Sequence, residues 1–187
     1  MKRQCFPIDT DSEVPALTSS QMREVDRIAM RETEPNVFQM IENAGRSLAE
    51  MALERLGGDW QKARVVVLAG TGGNGGGGIT AARHLAKRGA RVELCLAASD
   101  KLSEVTGWQR KGFQSMSGKE VEFRNLDPGP VRLILDALIG YGLPSAPQGI
   151  FAELIHWANG TRASIGELVL ADIGIPAGDL PAYWRLV

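Results

Sequence analysis

The sequence predicts a single three-layer α/β/α sandwich around a mostly parallel sheet. Two observations carry that reading. Short, continuously apolar runs alternate with longer helical patterns from residue 65 onward, as in sheets covered on both faces. The first of those runs, Val65 to Leu68, stops at a stretch in which seven of the nine residues from Gly70 to Gly78 are glycine, and a helix-like segment follows from Ile79. With 187 residues and 44% apolar content, the chain can bury the core such a fold needs.

Residues 1–17 mix Pro, Asp and Ser without a period and are expected to form a flexible tail, leaving 18–187 as one domain. Thr18 and Gln21 form a capping box ahead of a first helix with Met22, Val25 and Ala29 on one face. Pro35 suits the first turn of a second helix, whose apolar positions include Phe38, Ile41, Leu48 and Met51 or Ala52, and Gly57-Gly58 ends it. Next come a strand over Val65–Leu68, a helix over about 79–88 and a strand over Arg91–Leu96. A helix over about 103–116, a strand over Leu133–Leu135 and a helix over about 148–158 complete the alternation. Ligands of such sheets bind beyond the carboxyl ends of the strands, where both the glycine stretch and the segment after Asp136 fall.

The glycine stretch reads as a loop that aims backbone N–H groups at a phosphate, with glycines allowing close approach and φ > 0. Gly70, Gly72 and Gly75 satisfy G-x-G-x-x-G, but in so glycine-rich a run the match is nearly automatic. The acid expected about 20 residues further on has only Glu93 as a candidate, inside the strand rather than at its end. No G-K-[ST] follows, which excludes a P-loop NTPase. Asn74 places a side-chain amide within the stretch. Asp136 is a carboxylate at the end of a buried strand, costly unless paired, hydrogen-bonded or bound to a cation; a capping role is the alternative. Together, Asn74 and Asp136 offer hard oxygen donors from neighbouring strand ends.

Four ordered blocks resemble the YjeF N-terminal domain family, the NAD(P)H-hydrate epimerases. Ala69 to Gly78 followed by ITAARHL is similar to that family's A-G-x-G-N-N-G-G-D-G loop and helix. QMREVDRIAM and VFQMIENAGRSLAEMA resemble its two opening helices, with Ile41 to Gly45 in place of M-E-N-A-G. LILDALIGYGLPSAPQGIFAELIHWAN is similar to its D-A-L-x-G-T-G-L segment, and GELVLADIGIP to its closing block. The resemblance implies a Rossmann-like fold and an isomerase that interconverts the R and S forms of NADH or NADPH hydrated at C6 of the nicotinamide. It implies a potassium ion with Asn74 and Asp136 at the ligand positions, and Asp136 as candidate catalytic base. It implies substrate contacts from Gly73, Asn74, Gly75, Gly76 and Gly77, and from a second loop of Gly140, Tyr141, Gly142, Leu143, Pro144, Ser145 and Ala146. A homodimer through the opening helices is also consistent with it.

The chain departs from the family pattern in three places. Gly73 and Gly77 replace the first Asn and the Asp of the loop. The D-x-P-S-G segment has no clear counterpart. Asp172-Ile-Gly-Ile-Pro176-Ala177-Gly178 aligns with the closing block, leaving the C-terminal half shortened; the alternative is that it replaces D-x-P-S-G, with Ala177 at the Ser position. The alternative function is therefore a catalytically inactive nucleotide-binding or scaffold module derived from the family. Glu42 and Asn43 read as capping or inter-helix hydrogen bonds, and His84 and His156 as facing solvent or making a core contact. Net charge is −1 with no basic cluster, so nucleic acid and membrane surfaces are not expected partners. Cys5 and Cys95 are expected to be unpaired, and the absence of a long apolar segment suggests a cytoplasmic protein.

Overall fold

The computed structural model describes residues 18–32, 36–141, 146–165 and 169–172, the last stretch from residue 162 on through its backbone. The expected tail, the Pro35 position, Gly142 to Ser145 and Ala177 lie outside the described residues. Five helices, α1 (Ser19–Glu32), α2 (Val37–Leu56), α3 (Gly73–Lys87), α4 (Glu104–Gln114) and α5 (Ile150–Ile165), alternate with β1 (Arg64–Ala69), β2 (Arg91–Leu96), β3 (Lys119–Glu120), β4 (Leu133–Ala137) and β5 (Val169–Asp172). All four strand pairings are parallel, in the order β3-β2-β1-β4-β5.

Local chemistry accounts for most boundaries. The capping box at Thr18 forms: Thr18 N–H donates to Gln21 Oε1 at 2.8 Å and Gln21 N–H to Thr18 Oγ1 at 3.3 Å. α2 is capped by Asn36, one residue beyond Pro35, with Gln39 closing a second box, and Gly57 at φ 70° ends it. Gly89 at φ 93° turns the chain from α3 into β2. Among the described residues the apolar face expected of α1 is only partly covered: Met22 and Ala29 are half-buried and Val25 is 43% exposed.

Both faces of the sheet are covered. Alternate β1 residues Val65, Val67 and Ala69 pack with α2, α3 and Phe113 of α4, including Leu48, Ala52, Ile79 and Leu85. Val66 and Leu68 face the other layer with Ile134, Cys95, and Leu154 and Ala158 of α5. Ala52 rather than Met51 takes the inward position, Met51 being 53% exposed.

The strand order reverses between β1 and β4, where the connections from β1 and β4 leave on opposite sides. That is the switch point at which doubly wound sheets leave a crevice. Val169–Asp172 runs parallel beside β4, with Leu133 opposite Val169 and Asp136 opposite Asp172. Only residues 166–168 separate it from α5.

Candidate functional site

The glycine stretch is mostly helix rather than loop. α3 begins at Gly73, with Gly72 as its extended N-cap, so the turn itself is only Gly70 to Gly72. Nor does the stretch use positive φ; among the described residues only Gly57, Gly89 and Gly149 do. Its glycines serve close approach instead. A Cβ on Gly70 would lie 1.9 Å from Leu138 O, and one on Gly75 would lie 2.0 Å from Gly70 O. On Gly78 it would sit 2.3 Å from Ala137 Cβ, and on Gly45 of α2 it would sit 2.4 Å from Thr80 Cβ. Absent side chains thus let α3 lie against β4 and α2 at backbone distance.

These approaches assemble the crevice. Gly70 N–H donates to Ala137 O at 3.0 Å, tying the turn after β1 to the end of β4. Gly140 reaches Asn74, its ideal Cβ position lying 3.4 Å from Asn74 Cβ. The two segments singled out from the sequence therefore meet, with the exposed Gly72 and Gly73 at the rim and Gly75, Gly76 and Gly77 buried beneath. The N–H groups of the first turn of α3 have no acceptor within the helix, and the helix dipole favours an anion there. Ala146 is exposed; Leu143, Pro144 and Ser145 lie outside the described residues.

Asp136 is the penultimate residue of β4 and 6% exposed. Its Oδ1 accepts the Leu138 N–H at 2.9 Å, a local cap, so the capping role holds. Burial raises its pKa above the ordinary 3.8, outweighing that hydrogen bond, which lowers it. A buried carboxylate with so little compensation is the kind that a cation would stabilise. Asn74 supplies a second signal: its Nδ2 is buried without a partner. Turning that amide end for end brings a carbonyl oxygen to the orphaned position. Asn74 and Asp136 therefore fit a potassium ion in donor type, both offering hard oxygen.

Two features of the site were not legible in the sequence, and a third was. Ser103, the N-cap of α4, and Thr106 hold the carbonyls of the glycine turn. Tyr141 Oη donates to Asp26 Oδ2 at 2.5 Å, linking α1 to the loop after β4 and raising the Tyr141 pKa. Glu42 of α2 accepts from Arg83 and contacts His84 Nε2 at 2.8 Å, both on α3. That last cluster is the inter-helix contact expected of Glu42, and it takes in His84, for which the sequence indicates solvent or a core contact. Asn43 is exposed and accepts from Arg46 at 3.3 Å, within its own helix. Glu93 is engaged by Arg64 at 2.7 Å, well before the end of β2, which removes it as a ribose acid. An open groove of about 1380 Å³ between α2, α3 and α4, lined by Phe38, Trp108 and Lys111 among others, holds none of the expected ligand positions.

A parallel sheet with a glycine-lined helix N-terminus and a buried carboxyl at its switch point defines a doubly wound α/β protein. More narrowly, the chain belongs to the family described as YjeF-related protein N-terminus, whose model matches residues 37–179. It is 48% identical over 171 residues to the NAD(P)H-hydrate epimerase of Dehalogenimonas lykanthroporepellens, covering 89% of this chain and 70% of that protein. It is 32% identical over 158 residues to the NAD(P)H-hydrate epimerase of Rhodopirellula baltica, covering 81% of this chain and 62% of that one. With the bifunctional NAD(P)H-hydrate repair enzyme Nnr of Salinibacter ruber it shares 33% identity over 165 residues, 80% of this chain and 30% of the enzyme. The crystal structure of yeast ynu0 superposes with a TM-score of 0.74 at 21% identity, covering 88% of this chain and 72% of that one, which bears on the fold alone. No helix among the described residues is long and apolar enough to cross a membrane.

Proposed function

We propose that the protein is an NAD(P)H-hydrate epimerase, acting on NADH or NADPH hydrated at C6 of the nicotinamide and exchanging the R and S forms. The observation that carries this reading is the meeting of the α3 N-terminus with the end of β4. It brings anion-binding backbone, Asn74 and the buried Asp136 to one crevice in a chain 48% identical to a protein of that name. The N–H groups at Gly72 to Gly75 bind the diphosphate, and the segment from Gly140 lies along the rest of the substrate. Asn74 and Asp136 hold potassium. When bound, that ion offsets the diphosphate charge and the buried carboxylate.

Epimerisation requires the C6 hydroxyl to leave and return on the opposite face, with a group to carry the proton. Asp136 is the candidate carrier, since burial makes it hold a proton at higher pH than an exposed carboxyl does. A bound cation opposes that shift, so ligand and carrier are competing assignments for the one carboxyl. The site is proposed to act in the cytoplasm and as a homodimer through the opening helices. The unburied apolar residues of α1 support the second point.

One observation favours the alternative, a binding or scaffold module without turnover: the closing segment stands directly beside β4, after only residues 166–168. The experiment is epimerisation of purified S- and R-hydrated NADH, followed by chromatography, in potassium and in a potassium-free buffer, with Asp136→Ala alongside. Potassium-dependent interconversion lost in the variant supports the enzyme. Nucleotide binding by folded protein without interconversion overturns it in favour of the module.

A further inference from the structure

We infer that Thr106, with Ser103, is a positioning residue for the diphosphate-binding turn: α4 holds the turn by its carbonyls and so sets the direction of its N–H donors. The inference rests on the site reading proposed above. Ser103 N–H donates to Thr71 O at 2.9 Å, and Thr106 Oγ1 donates to Gly72 O at 2.8 Å. Gly72 O also accepts the first helical bond from Gly76 N–H at 3.0 Å. Thr106 Oγ1 lies 2.8 Å from Ser103 Oγ. With the single Thr106 hydrogen committed to Gly72, Ser103 is the donor of that pair. A relay of two hydroxyls thus ends on the turn.

The geometry of the peptide bond converts this grip into an orientation. In a trans planar peptide, the carbonyl of one residue and the N–H of the next point in opposite directions. No described peptide is cis. Holding Thr71 O against α4 therefore turns Gly72 N–H away from α4, and holding Gly72 O turns Gly73 N–H out of the helix N-terminus. Gly72 of the turn and Gly73, which opens α3, are exposed, and neither carries a side chain that could steer the backbone. Thr106 is fully buried, and an ideal Cβ on Gly76 would lie 3.1 Å from its hydroxyl, so the residue has no room to turn away. Glycine gives the turn freedom; α4 removes it.

The test compares wild type, T106V and T106S in epimerisation of hydrated NADH, with thermal melting of each. Valine keeps the shape and deletes the hydroxyl. T106V is expected to raise KM about fivefold or more, the ratio one neutral hydrogen bond supports, with kcat within about twofold. T106S is expected to restore KM. An unchanged KM in folded T106V, or a T106S as impaired as T106V, overturns the inference. If T106V does not fold, S103P tests the other arm: Ser103 at φ −60° admits proline, which deletes the N–H donor to Thr71 O together with the hydroxyl that caps α4 and donates to Thr106. A raised KM with kcat retained is again expected, and an unchanged KM overturns the inference.

Wild type without turnover overturns the epimerase reading instead. The role of Thr106 is then read from amide resonances of ¹⁵N-labelled protein titrated with ADP-ribose. Gly72 and Gly73 should shift in wild type and T106S, and at about fivefold or more higher concentration in T106V. Equal titration of T106V, or no shift in wild type, overturns it.

Discussion

Placing a methyl group on Gly78 tests the claim that α3 is positioned by absent side chains. An ideal Cβ there lies 2.3 Å from Ala137 Cβ, whereas carbon atoms rest at about 3.5–4.0 Å, so α3 and β4 must separate by about 1.2 Å or more. Neither atom has a rotamer that could yield, which puts the cost at the upper end of the ~1–3 kcal/mol seen for overpacking. The helix-propensity gain of Gly to Ala returns about 1 kcal/mol. A net loss of ~2 kcal/mol remains, a fall in Tm of about 4–8 °C for a chain of this size.

Ala137→Gly removes the clash. The new methyl would then meet Val67 Cγ1 at 3.5 Å and the residue 137 Cα at 3.8 Å, both ordinary contacts. G78A/A137G should therefore be more stable than the sum of the single changes by about 1–2 kcal/mol in a double-mutant cycle. Gly73→Ala is the control. Its Cβ would meet only Ile41 Cδ1 at 3.9 Å, and it should melt no lower than wild type. Thermal unfolding by circular dichroism reads all four proteins. A G78A protein as stable as wild type, or strict additivity in the cycle, would refute the packing argument.

Asp136→Asn keeps the acceptor for Leu138 N–H but removes the buried charge, so it should melt at or above wild type at neutral pH while losing epimerisation; a sharply destabilised variant would count against the cost assigned to that carboxylate. Glu42 is buried enough to raise its pKa, but hydrogen bonds from Arg83 and His84 outweigh that and lower it below the ordinary 4.5. Its contribution is thus present above pH 4.5 and lost as pH falls through the lowered native value. At this half-exposed site Glu42→Gln should cost about 0.5–1 kcal/mol at pH 7 and nothing in strong acid, which pH-dependent denaturation curves can check. Burial pushes the Cys95 thiol up to about 11, so in a C5S background a disulfide reagent at pH 8 should label no thiol in native protein and one after unfolding.

Periodicity made the strands and helices legible, because an apolar run or a one-sided stripe is a local record of what a segment buries. Arg91–Leu96 came out at its observed bounds, and the second helix ended at Gly57 as the sequence indicated. Glycine-rich composition misled about Gly73 to Gly78, since propensity argues against a helix there and only packing against Ala137 and α2 makes one worthwhile. Asn74 and Asp136 stand out in the sequence because their chemistry is unusual where they sit, and the structure brings the segments that carry them together.

Thr106, Ser103 and the Asp26–Tyr141 bond could not be, since a hydroxyl or a carboxylate on a helix carries no mark of a partner 34 or 115 residues away. The place of the closing segment was undecidable for the same reason. The free edge of β4, with its unpaired backbone, takes Val169–Asp172 as its neighbour. By itself the sequence determined the layers, the switch-point residues and the family likeness, all of which rest on local pattern. The tertiary structure decided which backbone groups face the crevice and which side chains hold them there, because those depend on contacts that close long loops.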